Sequence, residues 1–180
     1  FPKRNPPKPT TPLHTTVIYS SLHVTLNLPI VELFPPELRT YFLTAVTAQR
    51  RRLFQTDANA NLPLQLFRDD RAKQRYQLHA FVLMPDHFHL ILTPGPDVSV
   101  EKAVQFIKGG FSFRLKSKWP VWEDSFKKLR MADRATYESH LRYIHENPVR
   151  ARLCERAEDF PFSSAAITDL TDPVPKYLRA

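Results

Sequence analysis

Residues 76–93 read "YQLHAFVLMPDHFHLILT", two dense apolar runs separated by Pro85 and Asp86. Each run has the length and composition of a strand, and Pro and Asp are common tight-turn residues. The stretch predicts a hairpin of strands 76–84 and 87–93, apolar enough to lie in the core. It also places His87 and His89 two residues apart, and i, i+2 neighbours on a strand share one face. Polar rings are costly to bury without partners. A fold built on this hairpin has to give both histidines something to bind.

The flanking segments supply the rest of the fold. "TYFLTAVTA" (40–48) has aromatic and β-branched residues at strand density. "ANLPLQLFRDDRAKQRY" sets Leu62, Leu66, Phe67 and Tyr76 near helical spacing. Ser99 is suited to cap a helix starting at Val100, with Val100, Val104, Ile107, Phe111 and Leu115 as its apolar stripe. Gly109 and Gly110 lie inside that helix, each costing about 1 kcal/mol relative to Ala. Their presence predicts a kink or a close approach to the backbone. "VWEDSFKKLRM" (121–131) predicts a further strand. Asp133 is expected to cap a last helix over 134–146, stopped by Pro148.

The order is β-α-β-β-α-β followed by one helix. This predicts an α+β fold, a ferredoxin-like βαββαβ antiparallel sheet with an additional C-terminal helix. In that topology the first and third strands are central. Phe88, Leu90 and Leu92 then face the two crossover helices, while His87, His89 and Ile91 face the other side. The last helix is the element available to cover that second face.

By composition, residues 1–38 form a proline-rich basic extension with a weak strand signal in 14–34. Residues 39–166 are expected to be the folded domain and 167–180 a C-terminal tail. No run is long and apolar enough for a membrane span. Cys154 is the single cysteine, which excludes an intramolecular disulfide and zinc-finger spacing. The net charge of +8 suits a polyanionic partner, although a solvated basic surface would look the same.

The last helix reads "DRATYESHLRYIHENPVR". At 100° per residue Tyr143 and Asn147 lie about 40° apart, with His140 about 60° to the other side. Taken singly, Tyr143 could be a packing residue and Asn147 a C-terminal cap. Set over two histidines, they suggest a reaction. Neutral imidazole is a common metal ligand. A divalent ion held by His87, His89 and the side-chain carbonyl of Asn147 could polarise a phosphodiester for attack by the Tyr143 phenol. His140 is the second candidate for the third ligand position.

The motifs "MPDHFHLIL", "FIKGGFSFRLK", "VWEDSF", "YIHENPVRARL" and "EDFPFSSA", in this order, resemble those of the REP-associated tyrosine transposases. These are relatives of the single-tyrosine HUH, IS200-like transposases. The resemblance spans about residues 39–166. It implies Mg²⁺ or Mn²⁺ at His87 and His89 and a nucleophilic role for Tyr143. It further implies cleavage and rejoining of single-stranded DNA at hairpins through a 5′-phosphotyrosine, by a monomer or homodimer in the bacterial cytoplasm, at the nucleoid. Arg50, Arg51, Arg52, Lys108, Arg114, Lys116, Lys118, Arg150 and Arg152 become candidate DNA contacts. Arg152 stands where relatives often have glycine. The rival reading is a non-catalytic hairpin or single-strand binding module on the same sheet, and a phosphodiesterase with no covalent step is a third.

Overall fold

The computed structural model describes Pro35 and residues 39–179. The expected extension over 1–38, with its possible strand, lies outside the described residues apart from Pro35. The hairpin forms as the sequence predicts. Strand β2 (Tyr76–Met84) turns at Pro85 and Asp86 into β3 (His87–Pro94). Strand β1 (Tyr41–Val46) pairs antiparallel with β3, setting Thr44 opposite His89 and Val46 opposite His87. Strand β4 (Lys127–Arg130) pairs with the other edge of β1. The sheet order is β2-β3-β1-β4, so β1 and β3 are central.

Helices α1 (Asp57–Ala72) and α2 (Val100–Leu115) cover one face. Phe88, Leu90 and Leu92 join Leu64, Phe67, Val104 and Ile107 in the main core. Burying each such side chain contributes roughly 1.5–3 kcal/mol. Helix α3 (Arg134–Arg150) covers the other face, where Ile91, Val82 and Met84 meet Tyr137 and Ile144. The alternation in "HFHLILT" therefore divides the strand as expected.

Both predicted caps are present: the Ser99 side chain accepts from Lys102 N–H and the Asp133 carboxylate from Thr136 N–H. The glycine pair divides into two cases. A Cβ on Gly110 would come within 2.7 Å of a Leu66 methyl, so α1 packs against bare backbone there. A Cβ on Gly109 would meet nothing within 4 Å.

Several boundaries differ from the sequence reading. Tyr76, read both as the start of the 76–84 strand and near the helical spacing of the preceding segment, begins β2. The strand expected over 121–131 is reduced to Lys127–Arg130, preceded by an isolated bridge between Trp122 and Thr47. Leu115 is only half-buried.

Pro148 does not stop α3, which runs to Arg150 with Pro148 buried inside it. Only the hydrogen bond its missing N–H would make is lost, close to the helix end. The stop is a Schellman closure. Arg152 N–H donates to Val149 O and Leu153 N–H to Pro148 O, with Arg152 left-handed at φ 57°. That conformation suits glycine, so the arginine found at 152 carries backbone strain.

Residues 167–179 of the expected tail are bound closely to the sheet. Leu170 enters the main core and Leu178 the second. Asp172 accepts from both Arg71 Nε (2.9 Å) and Arg71 Nη2 (2.8 Å), and from Leu78 N–H at 2.7 Å. Its register falls beside a β-bulge in β2 between Leu78 and Ala80. Burial alone would raise the Asp172 pKa, but these bonds outweigh it and hold the carboxyl below its ordinary value.

Candidate active site

His87 and His89 project from central strand β3 toward α3, with ring centroids 4.8 Å apart. Each ring is held through Nδ1. His89 Nδ1 lies 2.7 Å from Thr44 Oγ1 on the neighbouring strand. His87 Nδ1 lies 2.6 Å from Asp86 Oδ1, and the other oxygen of Asp86 accepts from Arg50 at 3.1 Å. With both Nδ1 atoms engaged, Nε2 is the nitrogen each ring can offer to a ligand. Phe42 stacks on the His89 ring at 5.3 Å and contacts His140 at 4.7 Å.

Tyr143 reaches the pair from α3. Its hydroxyl lies 3.5 Å from His89 Nε2, and its ring stands edge-on to both His89 (5.1 Å) and Phe42 (5.9 Å). At 37% exposure Tyr143 remains open to an incoming strand. Tyr137, by contrast, faces the second core, and burial pushes its phenol up to about 12. Of the two phenols on α3, Tyr143 is the one that combines access with contact to His89.

Burial, with a smaller contribution from His87, lowers the His89 pKa to about 3. Its imidazole is thus neutral at physiological pH, the form that coordinates a metal. The Asp86 carboxyl is nudged up by burial and pulled down further by His87 and Arg50, so it stays ionised. A carboxylate behind one imidazole and a hydroxyl behind the other are the supports that metal-binding histidines use. The residues present therefore fit a divalent ion.

Among the described residues no group of three or more His, Cys, Asp or Glu could hold a metal. Among the described residues a third protein ligand would be of another type, such as an amide oxygen. Asn147 lies one turn beyond Tyr143 on α3 and is half-buried. His140 Nδ1 is committed to Thr136 O at 2.8 Å.

The basic candidates fall into two groups. Arg150 lies 5.8 Å over the Tyr143 ring and pairs with Glu146 at 2.5 Å. Arg50 reaches Asp86, Arg51 bonds the carbonyls of Ala48 and Pro120, and Arg52 is exposed. Farther along α2, Lys108 donates to Glu123 O at 2.8 Å and Arg114 to Asp69 at 2.5 Å. Lys116 and Lys118 are exposed past the end of α2, and Arg152 at the end of α3.

Sequence reasoning missed Thr44, Asp86 and Phe42. Asp86 was visible as a carboxylate next to His87 but read only as a turn residue. Thr44 and Phe42 become neighbours of His89 only through the β1–β3 register. His145, also on α3, lies away from the site and bonds Ser164 Oγ at 3.0 Å. That serine belongs to the "FPFSSA" segment, which lies along the β2 edge, with Leu83 N–H donating to Phe162 O and Ser164 N–H to Phe81 O.

The site is thus a histidine pair on a ferredoxin-like sheet facing a helix-borne phenol. The chain belongs to the IS200-like transposase family, whose model matches residues 37–147. It is 25% identical over 138 residues to a Haemophilus influenzae protein provisionally named a REP-associated tyrosine transposase, covering 69% of this chain and 78% of that one. The fold is that of a solved REP-associated tyrosine transposase bound to a REP hairpin. The two are 21% identical with a TM-score of 0.65, covering 82% of this chain and 90% of that chain. Among the described residues no helix is long and apolar enough to cross a membrane.

Proposed function

We propose that the chain cuts and rejoins single-stranded DNA beside hairpins, using Tyr143 as nucleophile and a divalent ion, Mg²⁺ or Mn²⁺, at His87 and His89. The observation that carries this reading is the Tyr143 hydroxyl at 3.5 Å from His89 Nε2, on a half-exposed surface. Family membership and the hairpin-bound structural relative support the substrate class.

Tyr143 Oη attacks the phosphorus of a phosphodiester. The new bond joins Oη to phosphorus, the P–O3′ bond breaks, and the 3′ oxygen leaves with a proton from solvent. The phenol proton passes to solvent through the open side of the site. One phosphodiester replaces another, so rejoining by a 3′-OH needs no external energy source. A bound divalent ion would withdraw charge from the phosphoryl oxygens and steady the leaving oxygen. Thr44 and Asp86 fix the two imidazoles, Phe42 fixes the ring plane of His89, and Asn147 on α3 would supply a third ligand. Arg50–Arg52 and Arg150 flank the site, where guanidinium groups suit phosphate. Lys108 and Arg114 on α2, Lys116 and Lys118 past its end, and Arg152 at the end of α3 are the further candidate phosphate contacts.

Incubation with a labelled hairpin carrying single-stranded flanks, Mn²⁺ present, followed by denaturing electrophoresis, is the test. A shifted covalent band that is lost in Tyr143→Phe and with EDTA supports the reading. Hairpin binding without any such band would leave the non-catalytic binding module in its place.

A further inference from the structure

Gly110 is explained by Leu66, but no described residue explains Gly109. A glycine in a helix interior costs about 1 kcal/mol relative to Ala, and here a methyl would point into open space. Gly109 lies on the outer face of α2, in an exposed stripe with Gln105, Phe113 and Lys116 at i−4, i+4 and i+7. Phe113 is 83% exposed, although an outward-facing Phe gains nothing for the fold. Past the helix, Lys116 turns the chain in a left-handed conformation at φ 51°. Ser117 then orders the turn, its hydroxyl donating to Trp119 O and accepting from Trp119 N–H. Trp119 itself is 73% exposed, with Lys118 beside it.

Two large aromatic rings held in solvent among lysines are poorly suited to a protein partner's core and well suited to nucleobases. Every base offers a face to stack, and the cations take the phosphates. The patch is on the α2 face, opposite the one that carries the histidines, but toward the same end of the sheet. Val121 O accepts from Ala48 N–H, Trp122 bridges Thr47, and Val46 is paired with His87. Glu101, Asp124 and Lys108 line the hollow beside Gly109, two carboxylates to one ammonium, so phosphates are favoured at the Lys116–Lys118 end and an uncharged base over the glycine.

We propose that this face, from Gly109 through Phe113 and Lys116 to Trp119, holds unpaired nucleotides of the single strand that continues from the Tyr143 site. Bases stack on Phe113 and Trp119, a base or sugar edge rests on the bare backbone at Gly109, and Lys116 and Lys118 neutralise phosphates. The inference rests on the DNA substrate proposed above but not on the covalent step.

The experiment uses full-length protein carrying Tyr143→Phe, so that binding is read without cutting. Fluorescence anisotropy compares a hairpin bearing a single-stranded flank with the same hairpin trimmed blunt. Phe113→Ala and Trp119→Ala should each weaken flanked-hairpin binding about tenfold and leave the blunt hairpin unchanged. Trp119→Phe should retain most of the affinity. Gly109→Ala should raise Tm and yet weaken flanked binding, a combination that a purely structural role does not give. Unchanged affinity in the alanine variants overturns the inference. So does an equal loss on both hairpins, which would place the patch on the stem or the loop. Absence of a Tyr143 adduct with the unsubstituted protein would instead refute the catalytic reading and leave this result standing.

Discussion

Thr44 Oγ1 lies 2.7 Å from His89 Nδ1, across the β1–β3 ladder and beneath α3. The contact fixes a ring whose other nitrogen faces Tyr143, so a threonine far from the histidines in sequence sets the direction of the candidate ligand. Thr44→Val keeps the shape and removes the hydroxyl. It is expected to lower Mn²⁺ affinity about 10- to 100-fold, the usual loss for a support behind a ligand. Titration of Mn²⁺ by electron paramagnetic resonance checks this, and an unchanged affinity would remove Thr44 from the site.

Arg152 gives a prediction of the opposite kind. It holds a left-handed φ of 57° at the closure of α3. Arg152→Gly relieves about 1 kcal/mol of backbone strain and should raise Tm by a few degrees. If its guanidinium contacts phosphate, the same variant binds hairpin DNA less tightly and with a shallower salt dependence. Thermal unfolding and a salt series of anisotropy titrations read the two effects separately.

The hairpin, the helix caps and the outward direction of the histidines were legible in the sequence because each depends on local chemistry or on period-2 alternation. The end of α3 was not. Pro148 carries the usual stop signal, yet near the C-terminus it removes only one hydrogen bond, and the Schellman bonds of Arg152 and Leu153 decide the boundary. The role of 167–180 was also hidden. Its attachment depends on Asp172 meeting Arg71 and Leu78 N–H across more than ninety residues. In the site, His87, His89 and Tyr143 are brought together as the pattern implied. Their partners Thr44 and Phe42 depend on strand register, which the sequence leaves open.

Asp172 anchors the C-terminal segment, and Asp172→Ala leaves Arg71 and the Leu78 N–H without their acceptor. The variant should lose about 2 kcal/mol of stability. Urea unfolding measures the loss, and protease cleavage within 167–180 should become faster at the same time. A midpoint equal to that of the parent would show that the segment adds nothing to the fold.

Acid should destabilise the metal-free protein well above the carboxylate range. Burial lowers the pKa of His79, of His145 and, to about 3, of His89. An unfolded histidine titrates near 6.5, so below that pH the unfolded chain binds more protons than the native one and stability falls. The loss begins near pH 6.5 and continues as the pH drops toward the folded values, reaching about 3 for His89. Asp172, whose folded pKa is depressed, adds stability above the ordinary carboxylate pKa of about 3.9 that is lost on further acidification. Tm measured from pH 8 to pH 4 should be level at first and then decline from about pH 6.5. A Tm that rises over that interval would contradict neutral burial of these rings.

The most direct measurement is mass spectrometry of peptides from protein incubated with Mn²⁺ and a flanked hairpin. The account predicts a nucleotide joined through its 5′ phosphate to the peptide containing Tyr143, on the Tyr143 side chain. Cleaved DNA with no modified peptide, or the nucleotide found on another residue, would contradict it.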